Sequence, residues 1–532
     1  MGTGTAPSRL NIGRGRVRRR DFIISAGVLV TGSILGGCSN ARPSAILRTQ
    51  AGAIQGEISA DVHRFLGIPY AEPPFGALRF KAPERRKSWD GVLVADKFGA
   101  ICPQPAAASG LLAHGEDCLN LNIWTPDPSA TNLPVMVWMH GGDQLSGSGS
   151  QPLYDGSQFA REGVVLVTCN RRLGAESYLY LESAMQHGIG PGNLGVLDQM
   201  QVLHWIQENI AAFGGDAGNV TLFGQADGAV TLQALVATPA ARGLAHRVIP
   251  QSGAYAAQRP ETAQVVAELV LKQLGIKAGD LSALQAVPSA QLAALYPAVH
   301  KLQQAAPQPY LPVISESMPV HPADAAHAGF GLELDYLTGT CADEMVSAPD
   351  NAMTVQTVHI RQYAERILAT AGVDRERLLS TYVEQRPNLS PEQIETVMLG
   401  DVWARLPTLR VAHGHALRGS GKTYCYYFAE AAPAISAAHG SDLIIFGNDR
   451  SAVAEPPSAA AAEVGALMRR AWCNFARNGD PSLPELPCPE YNSKQQSTLR
   501  IGPQPTIVER PFAKQSRILG TAMANNWQAM GL

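Results

Sequence analysis

The feature that most constrains the fold is the alternation of short β-rich runs with longer helical patterns. The β-rich runs lie at residues 135–139, 164–168, 220–223, 247–249, 334–337 and 423–427, and the clearest helical patterns lie at 197–210, 261–274 and 459–478. Parallel strands need crossover connections, which are usually helices. The sequence therefore predicts an α/β fold with a central, mostly parallel sheet that helices cover on both faces. No linker rich in proline and serine divides residues 45–532, so we predict a single domain there.

The first 38 residues have the pattern of an export signal. Arg19-Arg20 ends a basic stretch, and the apolar run at residues 22–35 is too short for an ordinary membrane-spanning helix. The twin arginines resemble a Tat signal, and the run that ends at Cys38 resembles a lipobox. We expect Tat export and a lipid on Cys38, which would anchor the protein to the membrane without spanning it. The alternatives are a plain cleaved Tat signal, which gives a periplasmic or extracellular protein, and neither signal.

The charge of the remaining chain argues against nucleic acid as a partner. Removing the six arginines and one aspartate of residues 1–38 from the totals of 42 basic and 45 acidic residues leaves 36 and 44, a net charge of about −8. Phosphate binding needs a basic surface, which this composition does not favour.

The cysteines suggest a disulfide bond rather than a metal site. Cys102 and Cys118 bracket a short loop, and an exported compartment would let them form a disulfide that contributes about 3 kcal/mol. No Cys-x-x-Cys or Cys/His metal spacing occurs in the chain. We expect no cofactor, and a metal only under the third hypothesis below.

Five motifs, distributed in order along most of the chain, carry a family resemblance. They are Phe-Leu-Gly-Ile-Pro-Tyr-Ala-Glu-Pro-Pro at 65–74, Glu-Asp-Cys-Leu-Asn-Leu-Asn at 116–122, the run at 209–216, Gln-Ser-Gly at 251–253 and Trp-Cys-Asn-Phe-Ala at 472–476. In this order they resemble the type B carboxylesterase and cholinesterase family. The resemblance implies the α/β-hydrolase fold, which agrees with the predicted strands and helices. Fold alone does not establish activity.

The resemblance places alanine where the family carries its serine nucleophile. The Gly-x-Ser-x-Gly turn corresponds to residues 224–228, with Ala226 at its centre. A methyl group cannot attack a carbonyl, so the usual acyl-enzyme cannot form there. The resemblance assigns the triad acid to Glu344 and the base to His439. These two residues either retain chemistry or form a hydrogen-bonded structural pair, and we favour the structural interpretation.

The oxyanion hole also departs from the family pattern. By resemblance its backbone donors are Gly142, Asp143 and Asp227, and two of these now carry carboxylates. Carboxylates that turn inward would repel a developing negative charge, whereas carboxylates that turn outward would leave the hole intact. Three further departures lie nearby, at Gln225, Arg171 and the pair Ser177-Tyr178.

These departures lead to three hypotheses about function. The first is an exported binding protein or pseudoenzyme, with a small acyl or ester ligand or a protein as its partner. The second is hydrolysis of esters or other acyl compounds by a non-serine route, with Asp227 as nucleophile or water activated by His439. The third is a divalent-metal site formed by Asp143, Asp227, Glu344 and His439.

Overall fold

The computed structural model describes Met1 and most of the chain after residue 40. The described ranges are 41–105, 113–185, 189–253, 257–302, 308–345, 361, 364–365, 368–369, 372–429, 437–447 and 458–526. The predicted export signal and Cys38 lie outside them. Residues Ala41–Leu532 form one compact unit. Within the described ranges, no helix combines the length and the apolar character that crossing a membrane requires.

A large twisted sheet forms the centre of the molecule. In chain order its strands are β1 Arg42–Arg48, β2 Ala53–Ser59, β3 Val62–Pro69, β4 Val92–Val94, β5 Asn120–Thr125, β6 Leu133–Met139, β7 Val165–Cys169, β8 Gly215–Gln225, β9 Arg247–Gln251, β10 Asp335–Cys341, β11 Thr423–Phe428, β12 Ser497–Ile501 and β13 Thr506–Glu509. They are arranged in the order β1-β2-β3-β5-β7-β6-β8-β9-β10-β11-β12-β13, and β4 pairs with β2.

The middle of this sheet is parallel and its margins are antiparallel. All strand pairs from β7 through β6, β8, β9, β10 and β11 to β12 are parallel. The pairs that join β1 to β2, β2 to β3, β3 to β5, β5 to β7 and β12 to β13 are antiparallel. The sequence-based prediction of a mostly parallel central sheet is therefore confirmed. The carboxyl ends of the parallel strands share one edge, which is where α/β proteins place their sites.

Helices cover the sheet. Those of the described residues are α1 Ser157–Arg161, α2 Gly174–Tyr178, α3 Glu182–Met185, α4 Leu194–Asn209, α5 Asp227–Val236, α6 Pro260–Leu274, α7 Leu281–Gln285, α8 Ser289–Ala294, α9 Tyr296–Leu302, α10 Arg375–Gln385, α11 Pro391–Gly400, α12 Leu406–Arg418, α13 Ala459–Asn478 and α14 Ala513–Asn526. Short 3₁₀ turns lie at Gly76–Leu78, Pro152–Tyr154, Ile210–Phe213, Pro239–Ala241, Pro322–Asp324 and Ser441–Phe446, and a π turn lies at Asp401–Arg405.

Alternate side chains of the central strands enter two separate hydrophobic cores. In β6, Val137 packs in the core that α4, α5 and α6 help to form. Its neighbour Trp138 packs in the opposite core, with residues of α1 and α13. Because successive side chains of a strand point to opposite faces, a strand covered on both faces reads as a continuous apolar run. This is why β6 and β7 are recognisable from the sequence.

The predicted helices and strands are present, with differences at their boundaries. The structure extends the predicted strand at 220–223 back to Gly215, over a polar and glycine-containing stretch that has no β-like pattern. Helix α6 begins with Pro260 and ends before Gly275, which has a φ of 67°. Proline suits the first position of a helix and glycine suits the left-handed residue after it, so local chemistry sets both boundaries.

Candidate active site

A sharp turn joins β8 to α5, and two glycines make this turn sterically possible. A Cβ atom on Gly228 would lie 1.9 Å from the carbonyl oxygen of Met139, and one on Gly224 would lie 2.8 Å from the same oxygen. Real carbon–oxygen contacts are longer than either distance. Helix α5 therefore starts in direct contact with the end of β6, and only glycine fits at these two positions.

Ala226 stands at the apex of this turn in a strained conformation. Its φ is 54° and its ψ is −120°, a combination that costs a non-glycine residue about 1–3 kcal/mol. Its backbone N–H donates to the Gln251 carbonyl oxygen at 3.0 Å, and its own carbonyl accepts from the Val230 N–H at 3.0 Å. These two bonds hold the turn in place, although the apical side chain is only a methyl group.

Glu344 and His439 form a hydrogen-bonded pair at the same edge of the sheet. A parallel bridge between Asp343 and Ala438 sets the two residues side by side. The Nδ1 atom of His439 lies 2.6 Å from the Oε2 atom of Glu344, whose Oε1 atom accepts from the Cys341 backbone N–H at 2.7 Å. Burial opposes the charged form of Glu344, but the hydrogen bond and charge of His439 outweigh it and lower the pKa of this carboxyl.

The other ring nitrogen of His439 contacts Gln225. The Nε2 atom of His439 lies 2.9 Å from the side-chain amide of Gln225, which is the residue immediately before Ala226. Burial disfavours the imidazolium, but the hydrogen bond and charge of Glu344 outweigh it and raise the pKa of His439 to about 9. The Gln225 amide satisfies either form of the ring: its NH₂ group donates to neutral imidazole, or its oxygen accepts from imidazolium. The side chain of His439 remains 37% exposed.

The Asp227 carboxyl turns inward, which decides between the two orientations left open by the sequence. Asp227 begins α5 and is only 8% exposed. Burial raises the pKa of its carboxyl, and the Arg171 charge and the backbone N–H of Asp143 offset this only in part. The N–H of Asp143, one of the three oxyanion donors assigned by resemblance, therefore faces a carboxyl of the protein itself.

The loop after β6 supplies the other two assigned oxyanion residues. Gly142, Asp143 and Gln144 have φ values of 123°, 60° and 59°. A Cβ atom on Gly142 would lie 2.2 Å from the Ser146 carbonyl oxygen, so glycine is required there. Asp143 is half-buried, and its left-handed conformation is one that aspartate tolerates better than most residues.

Arg171 is a buried cation beside these carboxyls. Its side chain is fully buried, and two of its nitrogens lie 3.5 Å from the carbonyl oxygens of Arg172 and His140. Burial is the main cause that lowers the pKa of His140 to about 3, and the Arg171 charge adds to it. Arg171 therefore places a positive charge behind the oxyanion loop, where it partly compensates the charge of Asp227.

Comparisons with known proteins agree with this fold. The profile of the Carboxylesterase family matches residues 43–519. The chain is 35% identical to the para-nitrobenzyl esterase of Bacillus subtilis (strain 168), over 89% of this chain and 98% of that protein. It is 30% identical to the phenmedipham hydrolase of Pseudarthrobacter oxydans, over 89% and 98%. A solved carboxylesterase of Geobacillus stearothermophilus superposes with a TM-score of 0.79 at 31% identity, over 89% of this chain and all of that one.

The chain belongs to the carboxylesterase family. Its α/β-hydrolase architecture, predicted from the sequence, is shared by solved members of that family. In this carboxylesterase-family protein, the turn at residues 224–228, called the elbow below, lies at the carboxyl end of β8. The acid–histidine pair and the oxyanion loop lie at the same edge of the sheet, at the carboxyl ends of β10 and β6.

Two predicted ligand and bonding features are not formed in the structure of this carboxylesterase-family protein. Cys102 and Cys118 are unbonded thiols whose Sγ atoms lie 2.8 Å apart, longer than the roughly 2.05 Å of a disulfide bond. Burial, followed by the hydrogen bond with Cys118, raises the pKa of the Cys102 thiol. Within the described ranges, no group of three or more His, Cys, Asp or Glu side chains has an arrangement suited to a metal ion. The hypothesis of a divalent-metal site therefore gains no geometric support.

Asp442 is a site residue of this carboxylesterase-family protein that the sequence interpretation missed. It is fully buried, and its Oδ2 atom accepts from Gln251 Nε2 at 2.8 Å and from the Tyr426 hydroxyl at 3.1 Å. Because Gln251 also fixes the N–H of Ala226, these contacts connect the elbow to the His439 loop. The sequence did show that Asp442 lies three residues after His439. This spacing alone does not identify Gln251 and Tyr426 as its hydrogen-bond partners.

Proposed function

We propose that this protein is a non-hydrolytic member of the carboxylesterase family that acts as an exported binding protein. The observation that carries the proposal is the contact between His439 Nε2 and the Gln225 amide at 2.9 Å, directly beside a methyl group at position 226. In a serine hydrolase that nitrogen takes the proton of the nucleophile. Here a neighbouring side chain of the protein occupies it, and Ala226 has no proton to give.

The oxyanion site supports the same proposal. Ester hydrolysis requires donors directed at the oxygen on which negative charge develops. The buried Asp227 carboxyl lies against the Asp143 N–H instead, and a substrate carbonyl would have to displace it. Loss of one such donor typically reduces kcat by about 10²–10³. Three features therefore all disfavour ester hydrolysis. They are the absent nucleophile at Ala226, the contact between His439 and Gln225, and the Asp227 carboxyl at the Asp143 N–H.

The cellular placement is a second part of the proposal. We infer Tat export from Arg19-Arg20, with Cys38 as the lipid-bearing residue of a membrane-anchored protein. Globomycin-sensitive processing and labelling with radioactive palmitate would test the lipid. A Cys38→Ala variant that still fractionates with membranes would contradict it.

The activity test uses short-chain aryl esters such as p-nitrophenyl acetate and butyrate. We expect the wild-type protein and its His439→Gln variant to release p-nitrophenol at the same low rate, because neither forms an acyl-enzyme. The matched control is His204→Gln, an exposed histidine of α4. Robust wild-type turnover that falls in His439→Gln but not in His204→Gln would refute the proposal.

A second candidate function is hydrolysis without serine, which the intact Glu344–His439 pair favours. Similar proteins named as a para-nitrobenzyl esterase and a phenmedipham hydrolase make this the natural competitor. With the pKa of His439 raised to about 9, water activation by this base would strengthen as pH rises towards 9. A covalent route through Asp227 would instead transfer ¹⁸O from labelled water into that carboxyl. A hydrolysis rate that does not exceed the uncatalysed rate at any pH, together with no label, would exclude both routes.

A further inference from the structure

The Asp227 carboxyl contains a buried oxygen for which the described residues provide no partner. The residue is 8% exposed, and its Oδ2 atom has no hydrogen bond within the described part of the chain. Buried polar atoms are nearly always hydrogen-bonded, and a buried carboxylate oxygen without a donor is costly. The Oδ2 atom of Asp227 therefore lacks a hydrogen-bond donor among the described residues around the candidate active site.

The surroundings of this oxygen are rich in acceptors. The Asp143 side chain is a hydrogen-bond partner of the Asp227 carboxyl, and its charge also acts on His439. Burial, followed by the charges of Asp143 and Asp227, raises the pKa of the half-buried Tyr296 phenol, whose ring therefore lies in the neighbourhood of both carboxyls. Arg171 is the nearby buried cation: its charge acts on Asp227, but its two side-chain contacts at 3.5 Å are with backbone carbonyls, and its Nε atom has no partner among the described residues. A ligand that brings N–H donors and positive charge would complement this environment.

We propose that the oxyanion site of this protein is inverted, so that it binds the primary ammonium group of a small organic amine where an ester hydrolase holds a carbonyl oxygen. This inference rests on the proposed function, because a site that stabilises an oxyanion cannot also favour a cation. An ammonium group has three N–H donors, which suit the Oδ2 atom of Asp227 and the neighbouring Asp143 carboxyl. An ester carbonyl or a carboxylate would meet the same oxygens with repulsion.

Isothermal titration calorimetry of the exported protein tests this inversion with three matched probes. n-Propylammonium carries donors and charge, propyltrimethylammonium carries charge without donors, and propionate carries the opposite charge. We expect saturable binding of n-propylammonium that is at least about tenfold tighter than that of propyltrimethylammonium, as expected for a charge-assisted hydrogen bond. Propionate should not bind.

Variants of the two aspartates test which carboxyl groups bind the ammonium group. Asp227→Asn keeps the size of the side chain and should weaken n-propylammonium binding by about tenfold or more. Asp143→Asn, at a half-buried position, should also weaken it. Asp90→Asn is the control, because Asp90 is exposed and precedes β4, which pairs with β2 near one margin of the sheet, away from the central strand β8. Thermal midpoints of all three variants confirm that the comparison is made between folded proteins.

Each outcome separates this inference from the proposed function. Absence of n-propylammonium binding, equal binding of propionate, or unchanged affinity in both Asp227→Asn and Asp143→Asn would overturn the inversion. Those results would leave the proposed function standing if aryl esters are not hydrolysed. Ester turnover that depends on His439 would overturn the proposed function, whatever the calorimetry shows. Should Asp227→Asn fail to fold, the affinity of folded Asp143→Asn decides the question.

Discussion

Reconstruction of a serine at position 226 is expected to be insufficient for activity on its own. Ala226→Ser adds one oxygen at the apex of the elbow. The turn is already held by two backbone hydrogen bonds, one from the N–H of residue 226 to the Gln251 carbonyl and one from the Val230 N–H to the carbonyl of residue 226. The new hydroxyl must still compete with Gln225 for His439 Nε2, at a cost of about 1 kcal/mol or roughly fivefold in rate. It must also act beside an oxyanion donor that faces the Asp227 carboxyl.

Most of the expected shortfall in the kcat of Ala226→Ser comes from the oxyanion site. Because loss of one oxyanion donor typically costs about 10²–10³ in kcat, Ala226→Ser should be slower than Ala226→Ser/Asp227→Ala by that factor. Alanine removes the carboxyl and keeps a residue that suits the first turn of α5. Adding Gln225→Ala should raise the rate further by about fivefold.

The assay is steady-state hydrolysis of p-nitrophenyl butyrate, with active serines counted by a phosphonate titrant. The control is His439→Gln within the double variant, which should abolish the gain. Equal kcat values for Ala226→Ser and Ala226→Ser/Asp227→Ala would show that Asp227 does not obstruct the oxyanion site. A folded double variant that reacts with neither ester nor titrant would show that position 226 is not the nucleophile position.

Three further predictions concern stability and bonding. The pKa of His439 is raised to about 9 from 6.5, so the stability that its charge contributes is present below about pH 6.5 and is lost as pH rises to about 9. In urea unfolding, the stability advantage of wild type over His439→Gln should shrink across this pH range, and a constant difference would contradict the prediction. Arg172→Met should lower the free energy of unfolding by about 3–5 kcal/mol, because it leaves the fully buried Asp198 charge without its partner. Arg242→Met, in an exposed ion pair, should lower it by less than about 1 kcal/mol, and equal losses on chemical denaturation would refute the burial argument. After oxidation the protein should show two fewer thiols on titration of the unfolded chain, unless Cys102→Ala is introduced, and it should gain about 3 kcal/mol of stability; an unchanged thiol count after oxidation would exclude the bond.

Much of the fold was predictable because its signals are local. The continuous apolar runs of β6 and β7 follow from burial on both faces, and the ends of α6 follow from Pro260 and Gly275. The turn at 224–228 is also visible in the sequence, since its two glycines are required wherever a strand passes so abruptly into a helix.

The chemistry of residue 226 is likewise a property of the sequence alone. A methyl group is not a nucleophile in any conformation, so the proposed loss of the ordinary serine route rests on the sequence and not on the structure. The acid and base positions were predicted from motifs, and the structure pairs Glu344 with His439 at 2.6 Å.

Only the tertiary structure decided what the remaining side chains do. Whether Asp227 turns inward depends on the space and charge supplied by the oxyanion loop and by Arg171, which are distant in sequence. The contact between Gln225 and His439 joins residues 214 positions apart, and no local pattern specifies it. Burial and hydrogen-bond partners are set by packing among separate chain segments, so a sequence can name the groups of a site without fixing the direction in which they point.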